Sequence, residues 1–146
     1  MSGVVVVDAS LAVKWLVREI HSDKAYALAR SWAREEVYPM APYLMPVEVA
    51  NALYKRVMRK EVSLQEATSL LEGLFSTGIE LREPARVHVK AMELASELKQ
   101  DAVYDAHYLA LAEALNCELW TADERFYRAA SSGHTMVRWI GAFTDG

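Results

Sequence analysis

Four acidic residues stand where apolar segments begin or end. Asp8 closes the run VVVVD (residues 4–8), and Asp123 closes ELWTAD (residues 118–123). Glu48 lies at the start of PVEVANAL (residues 46–53), and Asp105 at the start of YDAHYLALAE (residues 104–113). Three or four carboxylates gathered within a few ångströms repel one another, so such a cluster either takes up protons or binds a cation. Hard oxygen donors without clustered His or Cys suit Mg²⁺ or Mn²⁺ rather than zinc. An ion of that kind binds and polarises phosphates and lowers the pKa of a bound water.

Each acid also has a local explanation. Glu48 and Asp105 occupy first helical turns, where a carboxylate gains about 0.3–1 kcal/mol from the helix dipole and free N–H groups. Asp8 or Ser10 could cap the segment Leu11 to Val17, and Asp123 the segment Glu124 to Ala130. Capping does not account for the combination, in which two acids lie at strand ends and two at helix starts.

The elements that would position them are legible. Val4 to Val7 is a continuous apolar run, the pattern of a strand buried on both faces in a parallel sheet. The spacing predicts a helix over His21 to Glu36, with Ala25, Leu28, Ala29 and Trp32 inward. Pro46 starts another, with Val47, Ala50, Leu53, Tyr54 and Val57 as a buried stripe. Ser63 and Glu66 form a capping box ahead of Leu70, Leu71 and Leu74, with Gly78 closing that helix. Pro84 opens a helix carrying Val87, Ala91, Leu94, Ala95 and Leu98, and Tyr104 to Leu115 forms the next, stopping near Asn116. Strands are expected at Val37 to Tyr43, Ile79 to Leu81, Cys117 to Thr121 and Thr135 to Ile140. Helices and strands in alternation predict an α/β fold, a three-layer α/β/α sandwich around a mostly parallel, Rossmann-like sheet. Ligands in such sheets bind at the carboxyl ends of the strands, where Asp8 and Asp123 fall.

The 146 residues, 53% hydrophobic and 25% charged, suit one domain spanning 1–146 and give no compositional case for disorder. A single cysteine, Cys117, excludes an intramolecular disulfide framework, and a buried structural thiol is expected there. No basic segment leads into a signal-length apolar run at the N-terminus, and no run approaches the ~18 residues of a membrane span, so the expected localisation is cytoplasmic. A net charge of −4 argues against wholesale phosphate binding of the basic DNA-binding type, yet is compatible with an acidic nuclease site.

Taken together, VVVVDAS, VEVANAL, YDAHYLALAEAL and WTADERF resemble the PIN-domain family over nearly the whole chain, and most closely its VapC-type toxins of prokaryotic toxin–antitoxin pairs. The resemblance implies an endoribonuclease cutting single-stranded RNA by metal-activated water. Asp8 and Asp105 would be central ligands of one or two Mg²⁺ or Mn²⁺ ions, with Glu48 and Asp123 completing the set. Ser10, Asn51 and Thr121 match supporting positions near the site. The resemblance also implies a homodimer, and a small antitoxin protein that lays a segment across the acidic site. Asp101 departs from the family pattern, where a small or neutral residue is usual, and is read as a solvated loop charge.

Lys14 and Arg18 follow the Asp8 strand closely enough for phosphate contact. The basic stretch KRVMRK (residues 55–60) is read as a solvated helix end complementing the dipole in preference to an RNA track, and Arg82, Arg86 and Lys90 likewise. His21, His88, His107 and His134 lack ligand spacing, and the four tryptophans are assigned to the core. Met40 and Met45 flank a proline-bearing loop that could line a partner groove. A receiver-type phospho-acceptor domain would pair acids after the first strand, but Ala9 follows Asp8. A phosphatase of the D-x-D type would need an acid where Ser10 stands. A PIN fold without turnover, serving as an RNA-binding or scaffolding module, is the remaining alternative.

Overall fold

In the computed structural model, which describes residues 3–145, five parallel strands form one sheet. In chain order the elements are β1 (Gly3–Val7), α1 (Ala9–Leu16), α2 (Ser22–Glu35), β2 (Val37–Ala41), α3 (Met45–Met58), α4 (Leu64–Leu74), β3 (Glu80–Leu81), α5 (Val87–Glu97), α6 (Tyr104–Leu115), β4 (Leu119–Thr121), α7 (Glu124–Ser131) and β5 (Val137–Trp139). A 3₁₀ turn, Ile140–Ala142, follows. The strand order β3-β2-β1-β4-β5 places β1 at the centre and reverses direction between β1 and β4. This is the crevice where an open parallel sheet binds its ligands.

The valine run occupies that centre because neither of its faces meets water. Val5, Val6 and Val7 are all buried, although successive side chains point to opposite sides of the sheet. On one side α6 packs against β1 and β4, and its residues Ala106 to Ala112 are buried without interruption, as in a helix apolar all round. α1 contacts β4 and gathers α2, α3 and α4 around itself. Helices thus cover both faces, as expected of an α/β/α sandwich.

Several boundaries fall inside the expected ones. β2 stops at Ala41 because Pro42 follows, while Pro39 is tolerated within it: β3 pairs only with Met40 and Ala41, leaving Pro39 on an unpaired edge. The capping box at Ser63 and Glu66 is present, but Gly78 does not close α4. Phe75, Ser76 and Thr77 each donate to a carbonyl three residues back, winding the helix down in 3₁₀ turns, and Gly78 takes φ +85° in the bend before β3. Pro84 lies in a turn that Val87 closes by donating to its carbonyl, and left-handed Arg86 delays α5 to Val87. Ser63 fixes the start of α4, so Ser63→Ala is expected to cost about 1 kcal/mol in chemical denaturation.

The stripe on α3 is also displaced. Met45, Val49 and Leu53 face the core, whereas Val47 (66% exposed), Tyr54 (53%) and Met58 (64%) form an apolar outer face. α3 has apolar residues on two sides, and the one turned to α1 and α4 is buried. Met40 and Met45 are core residues and line no partner groove. Trp32 is buried and the other three tryptophans are partly buried against the core. Cys117 is half-buried, and burial pushes its thiol up to about 11, leaving an unreactive group. Among the described residues no helix is long and apolar enough to cross a membrane.

Candidate functional site

The last residues of β1 and β4 bring Asp8 and Asp123 to one edge of the sheet. The Asp8 N–H still donates to the Trp120 carbonyl (3.2 Å), so the first acid stays locked to β4. Its Oδ1 accepts from the Leu11 N–H (3.0 Å) and the Ser10 hydroxyl (2.7 Å), and its Oδ2 accepts from the Thr121 hydroxyl. Ser10 in turn accepts from the Ala122 N–H (3.0 Å), and Thr121 from the Asp123 N–H (3.0 Å). Asp8 therefore caps α1 and is held by a hydroxyl pair as well. Three of its roughly four lone-pair positions are taken, leaving one for a ligand. Asp123 caps α7 by accepting from the Phe126 N–H (3.1 Å) with Oδ1, and its Oδ2 takes no protein donor among the described residues. The same two carboxylates that cap α1 and α7 line the candidate site.

Glu48 and Asp105 come to the same place from helix starts. A cleft of about 420 Å³ is lined by Asp8, Glu48, Asp105 and Asp123, together with Ser10, Asn51 and Lys14. A second cleft of about 540 Å³ shares Glu48, Asp105 and Asp123 and adds Gln100, Asp101 and Tyr104. Asp101 is exposed, as a solvated charge should be, yet it borders the acids. Arg18 lies outside both clefts. α1 ends at Leu16, so Arg18 hangs in the loop beyond it and pairs at the surface with Asp23. A more apolar groove between α2 and the start of β2 contains none of the four acids.

The electrostatics follow from burial and crowding. Burial pushes Asp8 up to about 6 despite the three donors that oppose it. Asp105 is pushed up to about 6 by burial first, then by the negative charges of Asp8, Asp123 and Glu48. It receives no protein hydrogen bond among the described residues. These acids pay for their proximity in repulsion, and a cation would relieve it. The donors are hard oxygens only, with no His or Cys in the cleft, which fits Mg²⁺ or Mn²⁺. As placed, no three Asp, Glu, His or Cys side chains among the described residues converge closely enough to hold one ion, so chelation requires side-chain rotation. Asp105 and the free oxygen of Asp123 are unrestrained by hydrogen bonds and can supply it.

Tyr108 is a site residue that sequence patterns alone do not single out. Its phenol, fully buried, donates to Glu48 Oε1 at 2.5 Å, and the tyrosine lines the acidic cleft. Burial and the Glu48 carboxylate hold the phenol protonated far above its usual range. The one signal that points to it is spacing: Tyr108 follows Asp105 by three residues and shares its face of α6. Tyr108→Phe is expected to weaken Mn²⁺ binding about 10-fold, the usual scale for losing a partner that orients a ligand, as measured by calorimetric titration.

Residues 5–131 match the PIN domain family. The chain is 35% identical over 123 residues to ribonuclease VapC3 of Pyrobaculum aerophilum, covering 82% of this chain and 89% of that protein. It is 33% identical over 125 residues to ribonuclease VapC1 of Mycobacterium tuberculosis, covering 85% and 89%. The crystal structure of PAE2754 from Pyrobaculum aerophilum superposes with a TM-score of 0.64 at 26% identity, covering 88% of this chain and 87% of that one. The structure of VapBC2 from Rickettsia felis, bound to a DNA fragment from their promoter, shares the fold with a TM-score of 0.65 at 19% identity over 87% and 93%. The chain belongs to the PIN-domain family, and within it to the VapC type.

Proposed function

We propose that the protein is a Mg²⁺- or Mn²⁺-dependent endoribonuclease that cuts single-stranded RNA, and the toxin of a VapBC-type toxin–antitoxin pair. The observation that carries this reading is the convergence of Asp8, Glu48, Asp105 and Asp123 on one cleft at the β1/β4 crevice. The ribonuclease names of its relatives support the reaction class. A bound Mg²⁺ or Mn²⁺ would supply a water of lowered pKa and neutralise charge on the phosphoryl oxygens.

The chain's own residues hold and orient. Asp8 and Asp105 are the central ligands, with Glu48 and Asp123 at their flanks. Ser10 and Thr121 fix the Asp8 rotamer, and Tyr108 fixes that of Glu48. No histidine lines the cleft to act as general base, so the carboxylates are the groups placed to take up a proton. Lys14, buried beside the acids, is tied to Glu19 at 3.1 Å and supports the cleft wall.

Membership of the VapC type supports an antitoxin partner, which would lie across the acidic cleft. A homodimer would cover the exposed Val47, Tyr54 and Met58 face of α3. The test is incubation with a mixed-sequence single-stranded RNA pool and Mg²⁺ or Mn²⁺, with and without chelator. Cleavage that chelation stops is expected. Metal binding without cleavage of any RNA would instead indicate a PIN fold working as a scaffold.

A further inference from the structure

The acidic cleft has a basic end. Lys55, Arg56 and Arg59 line the same cavity as the four acids, although a helix dipole is satisfied by cations anywhere around the last turn. The direction in which they point is set by spacing. Glu48, Asn51, Lys55 and Arg59 recur at intervals of three and four residues, which puts the first three on one edge of α3 and continues that edge to Arg59 at its C-cap. At 1.5 Å per residue, Lys55 lies about 10 Å and Arg59 about 16 Å along the helix from Glu48. A strand whose scissile phosphate sits at the acids would pass its next phosphates over these side chains.

Their ion pairing separates support from contact. Glu19 holds both Lys14 and Arg56, fastening the loop after α1 to α3 and offsetting one of their two charges. Lys55 has no ion-pair partner among the described residues. Arg59 has only Glu61 at 3.6 Å, both largely in water, a pair worth little and easily exchanged for phosphate.

Resting on the nuclease reading, we propose that the α3 edge of Asn51, Lys55 and Arg59 is a phosphate track that grips the RNA backbone beside the scissile bond. The track reads no sequence. It fixes the strand's direction through the cleft and contributes affinity that salt screens.

The test uses the full-length chain with Asp105→Asn to silence cleavage, a fluorescent single-stranded RNA oligonucleotide, and anisotropy from about 50 to 200 mM KCl. Adding Lys55→Ala and Arg59→Ala is expected to weaken binding about 10-fold at low salt. The slope of log affinity against log salt should flatten by about 1.4, or ~0.7 for each phosphate of a single strand that is no longer neutralised. Arg82→Ala, which lines neither acidic cleft and pairs with Glu80, is the control and should keep the slope. In the cleaving chain the same double substitution should raise KM for a long RNA more than for a trinucleotide. An unchanged slope and KM in the double variant, while the parent still binds and cuts RNA, would overturn the track alone. A parent that neither binds nor cuts RNA would remove the nuclease reading and the track with it.

Discussion

Replacing Asp105 by asparagine is expected to lower RNA cleavage at least ~10³-fold, about 4 kcal/mol of transition-state stabilisation, while raising the melting temperature of the metal-free protein at neutral pH. The two effects have one cause. Asp105 is crowded by Asp8, Asp123 and Glu48, is partly buried and has no hydrogen-bond donor, so its charge is a liability to the apo fold. Asparagine keeps the shape and removes the charge. A group that costs stability and is needed for turnover is the signature of a functional site rather than of a cap. Asp8→Asn is expected to abolish cleavage as well, but to stabilise less: its Oδ1 still accepts from Leu11 and Ser10, while the amide nitrogen that replaces Oδ2 cannot accept from the Thr121 hydroxyl, which loses a buried partner. Kinetics and thermal melts on both variants check the pair. Unchanged cleavage in either would contradict the assignment of that acid.

The second large effect is the dependence of stability on pH and metal together. Asp8 and Asp105 titrate near 6 when folded, against 3.8 for the unstructured group. Between those values the folded chain binds more protons than the unfolded one, so stability falls as pH rises through the window from about 4 to 6. For Asp8, fully buried, the loss is on the order of 3 kcal/mol by pH 7.5; Asp105, nearer solvent, adds less. A divalent ion binds the ionised forms and reverses the loss. At ~100 times its Kd, Mn²⁺ is expected to raise the melting temperature by about 5–10 °C at pH 7.5. At pH 5, where the ion must displace protons, the shift should be less than half of that. Equal shifts at the two pH values, or none at pH 7.5, would mean that these carboxyls do not hold the ion.

Much of this site is written in the sequence because each acid closes or opens an apolar segment. VVVVD can be buried on both faces only at the centre of a parallel sheet, and Asp8 is then the first polar group to emerge at the ligand edge. The register of β1 with β4 brings Asp123 beside it, a pairing that no local pattern encodes. Gly78 and Pro84 mark turns truly but not helix ends, since the chain winds down in 3₁₀ turns before the one and starts α5 three residues after the other. On α3, apolar residues on two sides leave the buried stripe ambiguous, and packing against α1 and α4 settles it. Tyr108 is hidden in the sequence because its partner, Glu48, lies 60 residues away. The composition of KRVMRK suggests only a solvated helix end; the three-and-four spacing from Glu48 shows that Lys55 and Arg59 also share the cleft.

The central claim is that the four carboxylates form a metal-dependent centre for hydrolysis of RNA phosphodiesters. The most direct measurement is the chemistry of the ends produced from a defined single-stranded RNA in the presence of Mn²⁺. Attack by an activated water, without help from the 2′-hydroxyl, predicts 5′-phosphate and 3′-hydroxyl ends, and chelator should stop their formation. A 2′,3′-cyclic phosphate, or cleavage that persists undiminished in chelator, would contradict the account.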